Sequence, residues 1–346
     1  MSKHYHIGII GAGNVARFHA KAIADIPNAI LVGVCDGGSG RARTLAKEFQ
    51  TQTYPSYHTM LDDDQVDLVT IATPSGYHLE PTVLAAQKGK HVLCEKPLEI
   101  TPQRIDQMIQ AHIKAGTYLG GIFNFRYDSA VAKIKEAVET GRLGTITYAA
   151  VHVPWWRSED YYAGNWRGTQ KLDGGGALMN QSIHMIDLLQ YLLGPVASLF
   201  AYTATLAHQI EVEDTAVAVL RFQSGVLGQI YGSTASFPGQ PRQLMITGTE
   251  GSIKQVDDNI EVWSFKNKVP DDELVLKNPG TATGVGGASD PMAIPYDNHA
   301  RNISAFLEAI DHQQPFAIDG REAKKAVEII CAIYESQQRG REIELS

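Results

Sequence analysis

The chain has 346 residues, of which 44% are hydrophobic, and its 30 basic and 38 acidic side chains give a formal net charge of −8. This balance argues against a nucleic-acid partner, because phosphate backbones require a basic surface. Three widely spaced cysteines, Cys35, Cys94 and Cys331, exclude a disulfide framework and a CxxC metal site. No apolar run of about 18 residues occurs. We therefore predict a cytoplasmic protein of about two domains, with no metal and no membrane contact.

Strands and helices alternate over the first 125 residues. Short apolar runs bounded by glycine or proline predict buried strands, and amphipathic stretches between them predict helices. The predicted strands are Ile7–Ile10, Leu31–Cys35, Asp67–Ala72, His91–Cys94 and Tyr118–Phe123, and the predicted helices are Asn14–Ala24, Arg41–Phe49, Leu79–Lys88 and Pro102–Ala115. This alternation indicates an α/β domain over residues 1–125 with a parallel, doubly wound sheet.

The pattern changes after residue 125, where strands come to dominate. Predicted strands are Thr145–Val153, Ser198–Leu206, Asp214–Phe222, Gly225–Ser233 and Gln243–Thr247; predicted helices are Asp128–Glu139, Gly176–Leu193, Asn298–His312 and Arg321–Gln337; Asn278–Ser289 is predicted as a loop. We expect residues 126–346 to form a second domain with a mixed or antiparallel sheet and helices on one face. The uncovered apolar face of that sheet predicts a homodimer or homotetramer.

A glycine-rich turn follows the first predicted strand. Gly11-Ala12-Gly13-Asn14-Val15-Ala16 fits the pattern G-x-G-x-x-G/A and leads directly into a helix. Gly11 permits the tight turn, Gly13 lets the backbone approach a pyrophosphate, and the helix N-terminus favours the anion. Asp36 ends the second strand, where its carboxylate would accept the ribose hydroxyls of NAD and repel the 2′-phosphate of NADP. Arg41 and Arg43 follow closely, so NADP is the less favoured cofactor rather than an excluded one.

Two further segments carry groups suited to proton and charge chemistry. Lys96 lies just beyond the fourth strand, at the sheet edge where open α/β sheets hold ligands. The predicted helix Gly176–Leu193 carries Asn180 and His184 four residues apart on one face, and Asp187 lies three residues beyond the histidine and could orient it. Taken alone, a lysine before a turn proline and a histidine on an apolar helix both have ordinary structural explanations.

Together, these segments resemble the glucose–fructose oxidoreductase/inositol dehydrogenase (Gfo/Idh/MocA) family. Glu95-Lys96-Pro97 follows a Rossmann strand, and a glycine-rich run leads into the helix with His184 and Asp187. The remaining matches are Thr73-Pro74 with His78, Glu213-Asp214, and Tyr334-Glu335-Ser336. The resemblance implies a Rossmann domain followed by an α+β domain with an open, mostly antiparallel sheet. It also implies a pyridine-nucleotide oxidoreductase of sugars, sugar acids or cyclitols. The predicted cofactor contacts are Gly11, Gly13, Asn14, Val15, Asp36, Thr73, Pro74, His78, Glu95 and Lys96.

The chemistry of alcohol oxidation suggests roles for the two central residues. A histidine exchanges protons near neutral pH, and a lysine ammonium stabilises a developing alkoxide. We therefore expect His184 to be the general acid/base and Lys96 its electrostatic partner, although the opposite assignment stays open. An NADP-dependent reductase of the same family and a catalytically silent nucleotide-sensing regulator are the alternative functions.

An aromatic loop, Val153–Arg167, precedes the predicted helix Gly176–Leu193 and holds three of the four tryptophans of the chain. Indole faces suit the C–H face of a sugar ring, and guanidinium groups suit carboxylate or phosphate. These rings could equally cover a domain junction or a subunit interface. The predicted substrate contacts are Lys96, Arg126, Trp156, Arg157, Trp166, Arg167, Asn180 and His184.

Asn180 is where the chain departs from the usual family pattern, which has aspartate four residues before the histidine. The run Lys171–Gln181 is similar to the branch containing UDP-N-acetylglucosaminuronate 3-dehydrogenases. An amide can hydrogen-bond a substrate hydroxyl but cannot exchange its proton. We hypothesise that this neutral group removes a negative charge from the pocket and so favours an anionic substrate reached by Arg157 or Arg167.

Overall fold

The computed structural model describes residues 3–164, 166–277 and 296–345, so the predicted loop Asn278–Ser289 lies outside the described residues. These residues form two compact units. The first contains residues 3–124 and 296–324, and the second contains residues 125–277 and 325–345. None of the helices in these ranges has the length and apolar character needed to cross a bilayer.

A six-stranded parallel sheet forms the first unit, with strand order β3-β2-β1-β4-β5-β6. Its elements are β1 (Tyr5–Ile10), α1 (Asn14–Ala24), β2 (Ala29–Cys35), α2 (Arg41–Glu48), β3 (Gln52–Thr53), α3 (Tyr57–Leu61), β4 (Leu68–Ile71), α4 (Leu79–Gln87), β5 (His91–Cys94), α5 (Pro102–Ala115) and β6 (Leu119–Gly121). Most residues of the central strands β1, β4 and β5 are apolar and buried, as is typical of a parallel sheet with helices on both faces. The predicted Rossmann sheet is confirmed. Its strand order reverses between β1 and β4, the place where such sheets bind nucleotides.

An eight-stranded sheet forms the second unit, with strand order β13-β12-β11-β7-β10-β9-β8-β14. Its elements are α6 (Ser129–Glu139), β7 (Ile146–Pro154), α7 (Glu159–Tyr162), α8 (Ile183–Leu193), β8 (Val196–Ala204), β9 (Thr215–Phe222), β10 (Leu227–Ser233), β11 (Gln243–Gly248), β12 (Gly251–Val256), β13 (Asn259–Phe265), α9 (Asp272–Lys277) and β14 (Ile343–Glu344). All neighbouring pairs are antiparallel except β7 with β10. The predicted open, mostly antiparallel sheet is therefore confirmed.

Two further long helices lie near the end of the described chain, α10 (Asp297–Asp311) and α11 (Gly320–Arg339). The structure assigns α10 to the first unit, which differs from the predicted division at residue 125. The reason is a set of contacts with residues far away in sequence. Asn302 accepts the Phe123 N–H at 3.1 Å, Tyr5 donates to Asp311 at 2.6 Å, and the Phe306 side chain is fully buried. The amphipathic pattern of a helix shows that one face is buried but does not show which sheet covers it.

One face of the second sheet exposes apolar side chains. Residues of β9 alternate between buried and exposed, and Val217 and Val219 are 40% and 55% exposed. Tyr202 lies opposite Val217 on β8 and is 68% exposed, and Leu227 on β10 is 50% exposed. A contiguous apolar sheet face of this kind favours burial against another surface.

The homo-oligomer predicted from the sequence remains a prediction, and this face is where we expect the contact. Val219→Glu would place a charge in the middle of the face, so it should convert a dimer or tetramer to monomer. Light scattering at micromolar concentration measures the change. Wild-type protein that is already monomeric would contradict the prediction.

Candidate active site

The turn between β1 and α1 has the shape required for a dinucleotide. Gly11 has φ +110°, and a Cβ there would lie 2.4 Å from the Ala72 carbonyl oxygen, so no side chain fits. A Cβ on Gly13 would meet nothing within 4 Å, which leaves open space at the start of α1. Asn14 and Val15 open the helix, whose first N–H groups have no partner within it. The turn therefore fits the pyrophosphate of NAD.

Asp36 directly follows β2 and is held by its own turn. Its carboxylate accepts hydrogen bonds from the Gly38 N–H at 2.8 Å, the Ser39 hydroxyl at 2.7 Å and the Ala42 N–H at 3.0 Å. Partial burial raises the pKa of Asp36, but these hydrogen bonds outweigh burial and leave the pKa below its usual value. The group is therefore a fixed negative charge at neutral pH, as an acceptor for the ribose hydroxyls requires.

His78 connects the loops that follow β4 and β5. Its ring is 1% exposed, and its nitrogens lie 3.0 Å from the carbonyl oxygens of Pro97 and Thr73. His78 is a predicted cofactor contact, and these hydrogen bonds show that its ring also links the two loops. Thr73 Oγ1 is buried and has no hydrogen-bond partner within the described residues, so a bound cofactor could supply one.

Glu95 lies in a buried cluster beside the half-buried Lys96. Its Oε1 lies 2.8 Å from His19 Nε2 and 3.6 Å from His299 Nε2, and its Oε2 accepts the Lys96 N–H at 3.1 Å. Burial raises the pKa of Glu95, but the two histidines outweigh burial and hold the pKa well below its usual value. Hydrogen bonding and charge pairing explain this cluster, which fixes the backbone next to Lys96.

The predicted helix Gly176–Leu193 is two structures rather than one. A wider π-helical turn, Ala177–Ser182, precedes α8, which begins at Ile183. Glu213 accepts the N–H groups of Gly176 and Leu178 at 2.9 and 2.8 Å and the Tyr334 hydroxyl at 3.0 Å. Glu213 and Tyr334 therefore hold the entry to α8, the helix that carries His184. π turns are rare and often occur at functional sites.

His184 is half-buried near the start of α8 and stacks on Phe125. The ring centroids are 4.5 Å apart and the planes differ by 27°. The sequence analysis did not identify Phe125 as part of the site, although Phe125 directly precedes Arg126, a predicted substrate contact. Arg126 donates to both oxygens of Asp187 at 2.7 and 2.6 Å, and the predicted role of Asp187 in orienting His184 stays a prediction. With only 5% of its side chain exposed, Arg126 fixes α8 rather than presenting its charge to solvent.

Asn180 lies on the π turn and donates to a buried carboxylate. Its Nδ2 is 2.7 Å from Asp173 Oδ1, and Asp173 is 2% exposed. The hypothesis that the neutral Asn180 favours an anionic substrate stays a prediction, and it has to take this neighbouring carboxylate into account. The Asp173 carboxyl group lies one hydrogen bond from Asn180, and the sequence signal for it was an aspartate directly before the glycine run.

The two arginines of the aromatic loop differ in their exposure and in their contacts. Arg157 is 3% exposed and donates to the Trp156 carbonyl at 2.8 Å. Arg167 is half-buried, with its guanidinium 4.6 Å from the Tyr161 ring centroid and 5.3 Å from that of Trp166. Trp156 is half-buried. Arg167 is thus better placed than Arg157 to meet an anionic ligand.

Comparison with known proteins agrees with this architecture. The "Oxidoreductase family, NAD-binding Rossmann fold" matches residues 5–121, and the "GFO/IDH/MocA C-terminal domain" matches residues 131–254. The chain belongs to the GFO/IDH/MocA family. This membership confirms the resemblance found in the sequence, and the protein is an NAD-binding oxidoreductase, as predicted.

Similar proteins include dehydrogenases that are named for sugar and cyclitol substrates. The chain is 32% identical to the WlbA dehydrogenase from Bordetella pertussis, solved in complex with NADH and UDP-GlcNAcA; the match covers 100% of this chain and 99% of that one, with a TM-score of 0.90. It is 29% identical to myo-inositol 2-dehydrogenase from Thermotoga maritima, over 98% of both chains. It is 27% identical to D-glucoside 3-dehydrogenase from Escherichia coli, over 99% of this chain and 98% of that one.

Proposed function

We propose that this protein is an NAD-dependent dehydrogenase that oxidises a secondary alcohol of a sugar acid, with nucleotide-linked uronates as the first substrate class to test. The observation that carries this proposal is the full-length similarity to a dehydrogenase solved with NADH and UDP-GlcNAcA. The similarity of the run Lys171–Gln181 to the branch containing UDP-N-acetylglucosaminuronate 3-dehydrogenases and the half-buried Arg167 support an anionic sugar. The predicted cytoplasmic location stays a prediction.

In the proposed mechanism, His184 takes the proton of the substrate hydroxyl and returns it in the reverse direction. The Gly11–Gly13 turn and Asp36 would hold NAD, which would supply the acceptor for the hydride of the carbinol carbon. Lys96 stabilises the negative charge that develops on the substrate oxygen. The contacts of this chain support the roles: Phe125 stacks on the His184 ring, and the Glu95 cluster holds the Lys96 backbone.

A substrate survey tests the function directly. NADH formation is followed at fixed NAD with nucleotide-linked uronates, free uronates, neutral nucleotide sugars and cyclitols. We expect the highest kcat/KM with a nucleotide-linked uronate. A neutral sugar or cyclitol as the best substrate would refute the proposed class while leaving the dehydrogenase reaction intact.

Two alternatives make different predictions. An NADP-dependent reductase would prefer NADP over NAD by at least tenfold, and Arg41 and Arg43 beside Asp36 are the residues that favour it. A silent regulator would bind dinucleotide and turn over no substrate, which is difficult to reconcile with a chain that retains both Lys96 and His184.

A further inference from the structure

Arg242 is a buried arginine that the sequence analysis did not identify as part of any site. It directly precedes β11. Its Nη1 donates to Asp257 Oδ1 at 3.4 Å and its Nη2 pairs with Asp258, and both aspartates lie in the turn between β12 and β13. A buried ion pair often stabilises a fold no more than apolar side chains of similar volume would. Stability alone therefore does not explain an arginine at this position.

The guanidinium of Arg242 packs on the ring of Phe125. Arg242 Cζ lies 4.2 Å from the Phe125 ring centroid, which is a cation–π distance. Phe125 is itself buried, and its ring also stacks on the half-buried ring of His184, with 4.5 Å between the centroids. One aromatic ring thus contacts both the arginine and the proposed acid/base.

The turn between β12 and β13 holds the guanidinium in place. Asp257 has φ +47°, in the left-handed region that few residues with side chains adopt. Its carboxylate accepts the Arg242 backbone N–H at 3.1 Å as well as Nη1, and its own N–H donates to the Arg242 carbonyl at 2.9 Å. Because the guanidinium is planar and pairs with two carboxylates at once, it forms a rigid surface for the Phe125 ring.

We propose that Arg242 is a positioning residue that fixes the His184 ring through Phe125. The inference rests on the proposed function of His184 as the acid/base. Proton transfer requires an imidazole held at the reacting hydroxyl, and small displacements of a catalytic group lower the rate. The turn between β12 and β13 fixes Arg242, Arg242 fixes the Phe125 ring, and that ring fixes His184.

Arg242→Gln removes the planar cation that packs on Phe125. We expect kcat to fall about tenfold or more, with the KM for NAD unchanged because Arg242 is not a cofactor contact. Arg242→Lys keeps a positive charge for the two carboxylates but lacks the planar fork. It should therefore stay folded, as its melting temperature shows, and have an intermediate kcat. Arg321→Gln, at an exposed arginine of α11, is the matched control and should behave as wild type.

Phe125→Leu tests whether Arg242 acts through the aromatic ring. If the two residues contributed independently, their losses of kcat would multiply in the double variant, whereas residues that act in series give less than the product. We expect kcat of Arg242→Gln/Phe125→Leu to lie within about threefold of that of Phe125→Leu. Losses that multiply would overturn the inference.

A readout independent of turnover separates this inference from the proposed function. In protein labelled with ¹³C-histidine, the His184 ring signals, identified by their loss in His184→Ala, should be shifted upfield by the ring current of Phe125. That shift should disappear in Phe125→Leu and decrease in Arg242→Gln, and it should be seen even if no substrate is found. Wild-type kcat in Arg242→Gln, or an unchanged His184 shift in that variant, would overturn the inference in an enzyme whose dehydrogenase activity stands.

Discussion

Lys96→Ala and His184→Ala are each expected to lower kcat by about 100-fold or more while NAD still binds. His184→Ala removes the group that exchanges the substrate proton, and Lys96→Ala removes the positive charge beside the developing alkoxide. His184 is not a predicted cofactor contact, and Lys96 is only one of ten and lies outside the Gly11–Gly13 turn, so binding of the dinucleotide should persist. Steady-state kinetics with the best substrate, together with NADH fluorescence titration, measures the two effects separately.

Matched controls separate chemistry from general damage. Lys114→Ala removes an exposed lysine from α5, and His58→Ala removes an exposed histidine from α3. Both should keep wild-type kcat and melting temperature. If either Lys96→Ala or His184→Ala turns over at a near-normal rate, that residue has no part in the proposed mechanism.

Asp36→Ser is expected to reduce the preference for NAD over NADP by roughly 30-fold, which corresponds to about 2 kcal/mol. The carboxylate accepts hydrogen bonds from ribose hydroxyls and repels a 2′-phosphate, and serine does neither as strongly. The ratio of kcat/KM values for the two cofactors reports the change.

The same substitution removes acceptors from the turn that Asp36 holds through Gly38, Ser39 and Ala42. The melting temperature must therefore be measured with the kinetics, and Asp64→Ser, at an exposed carboxylate of the same unit, is the control. Wild-type enzyme that prefers NADP by tenfold or more would contradict the assigned role of Asp36.

The position of Asp173 changes how charge at Asn180 should be tested. If the neutral Asn180 favours an anionic substrate, Asn180→Asp should add a negative charge and weaken binding of that substrate more than binding of a neutral analogue. With Asp173 only 2.7 Å from the Asn180 amide, the two carboxylates of that variant would hold a proton between them. The added charge is then partly cancelled, so the difference between the two substrates should be smaller than expected and should grow with pH.

Local patterns determined much of this protein. Strands β1, β2, β4, β5 and β6 and helices α1, α2, α4 and α5 of the first unit each have an apolar run or an amphipathic period of their own, so the sequence predicts them without knowledge of their neighbours. The turn at Gly11 and the segments with Lys96 and His184 are likewise continuous in sequence. Strands β3 and β14 were missed because each has only two residues, and β12 because half of its residues are polar, so backbone pairing with a neighbouring strand defines them. Strand β13 was also missed, although four of its seven residues are apolar.

Only the tertiary structure decided which side chains meet across long separations. Arg126 binds Asp187 from 61 residues away, and His299 reaches the cluster around Glu95 from a helix near the end of the chain. Even Asp173 and Asn180, seven residues apart, meet only because the glycine run and the π turn intervene. Periodicity tells which face of an element is buried, whereas the partner of a polar group depends on where the chain returns.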